Sequence, residues 1–509
     1  MDLLIPTILT VSLAIYLLLN KFHNGLHRIP GPLCASFTDF WKVWYASRGS
    51  NHRNDTYVDT HREYGDIVRI GPNNVVFADP LAIQEIYGTK GSQQKSPHYD
   101  TFSMPVKGHQ FPSLLSSLDQ KWHDQQRKLI NTAFSATAIL KYEPWVDDTI
   151  NVLLRELKSR FLVGKGQSES LELYTWLAYF AADVISDLTY GQRTGFLETG
   201  TDVLGIQGNV EKVFQFWLLF AQMPILDRLT FKNPLLLFLN RHGIMESKKP
   251  LLSIVHRHFE ARKKIWEEKD GREGDRVTLI DRFLQAQRDN AEKVPMPPER
   301  HAVTMVTAGS ETTAITLASI FYFLMKNPEC YTRLQEEVDA ITPDQLHTAG
   351  DSMVFPWRVA QTMPYLDACI REAMRLHPAQ RIPHNRVVPE AGLVIRGQFI
   401  PGSTEVGIYP SVLHRRKEVF GDDVETYRPE RWLEDSQKTE RMKASMFTFS
   451  YGKYNCLGQN ISRLEIYKLV PSVMRALQLQ LKHPDREWEL KPGAFAMPKE
   501  LPVYLNGRV

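Results

Sequence analysis

FSYGKYNCLG, Phe449 to Gly458, sets one of the four cysteines of a 509-residue chain between two glycines. The segment after it, NISRLEIYKLVPSVMRAL, repeats apolar residues at helical spacing. A structural cysteine belongs inside an apolar helix or strand, where it behaves as a small hydrophobe. Cys456 instead follows a polar loop and opens a helix. There the positive end of the macrodipole and the first backbone N–H groups favour a thiolate, which makes Cys456 a candidate metal ligand.

The rest of the chain narrows what that ligand can serve. At 43% hydrophobic, 23% charged and a net charge of +3, the composition is that of a globular protein with a large core. No lysine or arginine block interleaved with aromatics supports a nucleic-acid binder. Cys34, Cys330, Cys369 and Cys456 are far apart and form no CxxC pair, which argues against a zinc site or a disulfide framework and fits a reducing compartment.

The N-terminus breaks the globular pattern. Leu3 to Leu19, LLIPTILTVSLAIYLLL, is at the short edge of the roughly 17–25 residues a membrane span requires. A cleaved signal peptide is the rival reading, but Asp2 stands where a basic cluster belongs and no small-x-small site follows. Lys21 and Arg28 place the remainder on the cytosolic side, and RIPGPL, Arg28 to Leu33, makes a stiff break. The expected organisation is an anchor over 3–19, a basic, proline-containing hinge over 20–32, and one large domain over 33–509. Asn54 and Asn460 open glycosylation acceptor patterns that matter only in a lumenal chain.

Further on, DIVRIGPNNVVFADP reads as two strands around a Gly-Pro-Asn-Asn turn, followed by a helix in LAIQEIYG. Gly91 to Gln120 reads as a long loop, and helical periodicity dominates from Lys121. The charge-dense stretch His258 to Arg276 reads as a solvated helix end and loop. Strand signals return between Pro383 and Ile408 and near the C-terminus. The fold class is mainly α with small β-sheets.

Glu299 to Pro328 forms a long helix, apolar on nearly all sides, that belongs in the middle of a core. Gly309 in its centre costs about 1 kcal/mol relative to alanine. Beside it, Glu311 and Thr312 admit two readings. In one the threonine bonds back to its own helix and the glutamate pairs with a base. In the other the glycine loosens the helix to admit a small ligand, to which an acid–alcohol pair delivers protons. In LDACIREAMRLHP, Glu372 and Arg375 share a helical face at i, i+3, and Arg431 downstream can join them through bidentate geometry.

Taken in order, AGSETT, EAMR, RPERW and FSYGKYNCLG resemble the cytochrome P450 family of haem-thiolate monooxygenases, over essentially residues 30–509. The resemblance implies a single large haem domain behind a membrane anchor, with haem b held by Cys456, whose thiolate favours O–O cleavage. It places Phe449 against the sulfur side of the haem, with Gly452 and Gly458 allowing close backbone approach. It gives Glu311 and Thr312 the delivery of protons to bound dioxygen. Glu372, Arg375 and Arg431 match the family's structural triad, and Arg127 and Arg386 match propionate-binding positions. Two positions depart from the pattern. His123, with Trp122 beside it, replaces a usual tryptophan, offering both donors and charge. Tyr454 stands where a basic residue is usual, with Lys453 one step earlier.

Other segments look like filamentous-fungal members similar to pisatin demethylase, which implies an endoplasmic-reticulum enzyme that oxidises small apolar natural products in secondary metabolism. The same haem in an isomerase or dehydratase, or in a non-enzymatic sensor or carrier, are the alternatives. Substrate-facing positions are expected in Gly91–Gln120, at Met305 and Ala308, in Gln380–His384 and in Gly493–Met497. Val213 to Leu226 reads either as an apolar lid resting on the bilayer or as a buried core helix. With no dinucleotide fingerprint, electrons are expected from a separate NADPH-dependent reductase, docking on a basic face to which Lys453, Arg415, Arg416 and Lys417 contribute.

Overall fold

The computed structural model describes residues 4–46, 56–90, 94–103, 105–106, 108–162, 169–244, 250–271, 276–290, 298–346 and 354–508. Its organising element is the central helix Pro298–Lys326, in which every residue from Thr313 to Leu324 is buried. The helix stops where Asn327 leaves helical geometry, and Pro328 starts the next helix, Pro328–Asp339. Its main packing partner is Leu173–Tyr190, buried on nearly all sides. The two come so close at Gly309 that a Cβ there would lie 2.9 Å from Ile185 Cγ1. The central helix runs unbroken through Gly309. The glycine therefore admits a neighbouring helix and does not loosen its own.

The described strands are β1 (Ile67–Gly71), β2 (Asn74–Phe77), β3 (Gln94–Lys95), β4 (Leu171–Glu172), β5 (Arg386–Val387), β6 (Leu393–Ile395), β7 (Gln398–Ile400), β8 (Glu405–Gly407), β9 (Leu477–Leu481) and β10 (Pro502–Gly507). β1 and β2 form the expected antiparallel pair, with Val68 opposite Val76. One sheet has the order β1-β2-β8-β5-β3, a second β4-β10-β9, and β6 pairs with β7. In the first sheet, β3 lies antiparallel to β5 and sets Lys95 directly opposite Arg386. Like charges facing across a ladder repel, so this register needs an explanation from the site.

The loop expected over Gly91–Gln120 thus contributes a strand, and also a 3-10 turn at Pro97–Phe102 capped by Ser96; its positions 91–93, 104 and 107 lie outside the described residues. The stretch His258–Arg276 is not simply solvated. Arg262, on helix Pro250–Glu268, donates to Asp281 at 2.9 Å, and Arg276 donates to Asp187 at 2.5 Å while covering the Trp145 ring. Positions 272–275 fall outside the described residues, as does Asn54. Asn460 is tied to the Phe134 carbonyl by its own amide.

The N-terminal helix is Leu4–Lys21, with no residue buried, and it is long and apolar enough to cross a membrane. The proline break behind it is docked on β1. Buried Arg69 donates to the carbonyls of Asn20, Lys21, Gly71 and Pro72, and its own N–H bonds to the Pro30 carbonyl at 2.8 Å. A side chain at Gly31 would run into the Arg69 carbonyl, 2.2 Å from a Cβ.

Candidate functional site

The cysteine loop is held by its own backbone. Cys456 N–H donates to the Phe449 carbonyl at 2.8 Å and Asn455 N–H to the Gly452 carbonyl at 3.1 Å. Gly452 has φ +66°, and a Cβ there would sit 2.4 Å from the Tyr87 carbonyl. The neighbouring helix end alone thus requires glycine here. Gly458 is different: a Cβ there would meet no protein atom within 4 Å. Phe449 packs against the main core, with the Arg463 guanidinium over its ring. The helix Gln459–Ala476 follows.

The Cys456 sulfur receives backbone N–H groups from Gly458 and Gln459. It lies deep among protein atoms yet is accessible, which puts it on the wall of an interior cleft. Contrary to the expectation of an easily formed thiolate, burial pushes this thiol up and outweighs those donors and nearby Arg127. A metal cation on the sulfur reverses that balance, since a coordinating thiol is deprotonated outright. The central helix supplies another accessible stripe: Ala308 is exposed, and Met305 and Thr312 are half-buried, ahead of the fully buried run from Thr313 to Leu324. Thr313 Oγ1 and Ser462 Oγ, 3.2 Å apart, join the central helix to the cysteine helix.

Around the cleft the sequence has gathered cations. Arg127, on helix Gln120–Ile130, donates to the Asn455 carbonyl at 2.8 Å and also to its side-chain oxygen. Arg386 is buried and donates to Tyr99 Oη and to the His384 and Asn385 carbonyls. Lys95, also buried, donates to the Leu114 and Leu115 carbonyls at 2.6 and 2.8 Å. Among the described residues none of the three is bridged to a carboxylate. Burial, then Arg386, Arg127 and Lys453, pull the Lys95 ammonium down to about 6. Burial and the field of Arg386 likewise hold His384 at about 3. A buried group of like charges is stable only beside an anion. The carboxylates of a haem fit this requirement, as the thiol on the cleft wall and the open space at Gly458 fit its iron and its ring. Lys95 was not foreseen from sequence; no local pattern marks it.

His123 takes the buried position and Trp122 the outer one. The charge expected of His123 is absent at neutral pH, because burial and then Lys95 hold it down at about 4. Its ring faces Tyr454 at 4.6 Å. The Tyr454 ring lies inward, with Lys95 4.7 Å and Arg386 4.8 Å from its centroid. Lys453 also lies over this ring, 5.4 Å from its centroid, and pairs with Asp124 at 2.8 Å.

Glu372, Arg375 and Arg431 do come together. Arg375 grips both oxygens of Glu372 at 2.8 and 2.9 Å, Arg431 adds a bond at 2.9 Å, and Trp432 Nε1, unforeseen, adds another at 2.9 Å. Burial opposes ionisation of Glu372, but the two guanidinium groups outweigh it and its carboxyl is lowered. The arginines also hold the carbonyls of His414, Val424, Asp423 and Thr426. This cluster pins a loop.

In the proton-delivery pair, Thr312 Oγ1 donates to the Ala308 carbonyl at 2.8 Å, the back-bonded arrangement. Glu311 is buried but its partner is a phenol, Tyr174, not a base. Burial pushes its carboxyl up to about 7. Two aromatic pairs tie helix Ile206–Gln222 to expected substrate-facing segments: Trp217 packs on Phe102 at 4.8 Å and Phe214 on Phe495 at 4.3 Å. Gln380 bridges to Phe495 and Arg381 N–H bonds to the Ala494 carbonyl, so the expected segments Gln380–His384 and Gly493–Met497 adjoin. His384 itself bonds to Ser450, in the cysteine loop, at 2.8 Å. Of the expected basic face, Arg415 is buried and engaged with Glu425 and the carbonyls of Ser411 and Leu376, so it is structural. Arg416 is bridged to Asp66.

Comparison with known proteins agrees with this geometry. The family model described as cytochrome P450 matches residues 35–505. The chain is 38% identical to the cytochrome P450 monooxygenase cicH of Emericella nidulans, over 95% of this chain and 94% of that one. It is 35% identical to a cytochrome P450 monooxygenase of Aspergillus terreus, over 91% and 92% of the two chains. It is also 35% identical to the cytochrome P450 monooxygenase mpaDE of Penicillium roqueforti, over 95% of this chain and 56% of that longer one.

Proposed function

The chain belongs to the cytochrome P450 family, and from that premise we propose that it is a membrane-anchored monooxygenase that oxidises a small apolar natural product. Membership makes it an oxidoreductase that carries haem b on a cysteine thiolate and works with a redox partner and a small-molecule substrate. Haem so bound activates dioxygen for insertion of one oxygen atom into a substrate bond. Cys456 is the ligand in our reading. The observation that carries it is a single accessible thiol on the cleft wall within the field of Arg127, beside buried Lys95 and Arg386.

The chain's own residues then divide the work. Arg127, Arg386 and Lys95 hold the haem carboxylates, while the Glu372 cluster fixes the loop behind. Phe102, Phe214, Trp217 and Phe495 exclude water and shape an apolar substrate space. Glu311 holds a proton near neutral pH, and Thr312, one residue on, carries it toward the cleft. Fungal secondary metabolism is the proposed setting, supported by the fungal monooxygenases it resembles.

We place the chain at the endoplasmic-reticulum membrane with its catalytic domain cytosolic, receiving electrons from an NADPH-dependent reductase. The exposed apolar helix Leu4–Lys21 supports the anchor. Helix Ile206–Gln222 buries Phe214 and roofs the cleft, so the outward apolar face lies just downstream. There Ile225, Leu229, Phe231, Leu235 and Phe238 are all exposed on and between the short helices Pro224–Leu229 and Pro234–Arg241. These residues rest on the bilayer in this reading.

Reduced protein exposed to carbon monoxide tests the ligand. The red-shifted absorption of sulfur-bound haem is expected, and Cys456→Ser abolishes it; an unchanged spectrum in that variant removes Cys456 from the iron. Thr312→Ala is expected to raise peroxide released per NADPH consumed, and an unaltered ratio removes Thr312 from proton delivery.

A further inference from the structure

Glu311 and Thr312 are neighbours in sequence, but successive helical residues point about 100° apart. Thr312 bonds to its own helix on the accessible stripe. Glu311 points the other way, and its Oε2 accepts a hydrogen bond from Tyr174 Oη at 2.5 Å, across the contact between the central helix and Leu173–Tyr190. Both groups are buried. For acid and alcohol to act together, Glu311 has to leave this bond, so whatever holds it there governs when it acts.

The surroundings lead outward. Glu211, on helix Ile206–Gln222, acts on both Glu311 and Tyr174. It is half-exposed and bridged to Lys491 at 2.7 Å, on the chain leading into the terminal loop Gly493–Met497. Asp202, ahead of that helix, is the remaining charge acting on Glu311. Burial is the main force keeping the carboxyl protonated; Glu211 and Asp202 add to it, while Lys491 and the Tyr174 hydrogen bond oppose it. Burial, reinforced by Glu311, keeps the Tyr174 phenol protonated, so it serves as a donor and not as a base.

We propose that Tyr174 is a positioning residue for proton delivery. Its phenol holds Glu311 turned toward Leu173–Tyr190, and the acid regains each spent proton on that side, from solvent at the Glu211–Lys491 pair, before turning to Thr312. The inference rests on Glu311 being the acid of the proposed reaction. The proton balance is simple: the carboxyl gives one proton toward Thr312, the carboxylate returns to the Tyr174 O–H, and solvent restores the proton.

Infrared titration of the full-length, haem-loaded protein tests this without turnover, using the carboxyl C=O band that Glu311→Gln removes. Tyr174→Phe deletes a donor that favours the carboxylate, so the midpoint is expected to rise by about one pH unit. Glu211→Gln deletes a repelling charge, so the midpoint is expected to fall. A hydrogen bond with no part in delivery moves this midpoint too, but leaves peroxide released per NADPH unchanged in Tyr174→Phe, and that result overturns the inference. An unmoved midpoint in Tyr174→Phe overturns the inference, and so does an unmoved midpoint in Glu211→Gln if the phenylalanine variant does not fold. The acid assignment fails separately: peroxide released per NADPH, with a microsomal reductase, would then be unchanged in Glu311→Gln.

Discussion

Arg431 Nε lies 2.9 Å from the same Glu372 oxygen that Arg375 Nη2 reaches at 2.8 Å, and all three side chains are fully buried. One buried carboxylate thus serves two guanidinium groups, and Asp423, 2.8 Å from Arg431, supplies the second negative charge. The arrangement carries a pH signature. The Glu372 carboxyl is lowered in the folded chain from its usual 4.5. Its contribution is therefore fully present above that unfolded value and is lost as pH falls through the lower folded one.

Glu372→Gln leaves Arg375 buried without a counter-charge and Arg431 with Asp423 alone, 2.8 Å away, and the expected cost is about 3–5 kcal/mol. Urea midpoints measured from pH 7 downward are expected to drop steeply below about 4.5 in the parent chain. In the variant that acid limb is shallower, because the titrating group is gone. Parallel limbs in the two proteins would show that Glu372 is not the source.

Lys95 and Lys453 offer a contrast within one cluster. Lys95 is buried facing Arg386 across a two-residue strand, whereas Lys453 is spent on Asp124 near the surface. Lys95→Met is expected to speed haem loss to an apoglobin acceptor by roughly tenfold or more, the worth of a hydrogen bond to a charged group. Lys453→Met is expected to change it little. The reverse order would move the carboxylate contact to the cysteine loop.

The contrast also shows what was legible in the chain. Glu372 and Arg375 could be paired because i, i+3 spacing on a helix is a local rule, and Cys456 stood out because glycine, cysteine and helix start share ten residues. Lys95 left no such mark: its meaning comes from a strand of two residues and a partner brought in by β5. Tyr174 and Glu311 are separated by 137 positions, and an apolar helix start gives no hint that its tyrosine meets an acid. Arg69 was equally silent, since its partners are backbone carbonyls, which any residue type supplies. What the sequence concealed is what long-range packing creates.

Gly309 is the position at which that lesson can be measured. The sequence allows it to be read as a weak point that opens the central helix, but the structure places Ile185 Cγ1 2.9 Å from where its Cβ would be. If the glycine merely loosened the helix, Gly309→Ala would stabilise the protein by about 1 kcal/mol. Against a packed neighbour the added methyl costs about 1–3 kcal/mol, so the net expected change is a loss of about 1 kcal/mol. The double-mutant cycle with Ile185→Ala decides between them. Once Ile185 is truncated, Gly309→Ala is expected to turn stabilising, read as a higher urea midpoint than Ile185→Ala alone. A stabilising effect in both backgrounds would mean the two helices are not held apart by this contact.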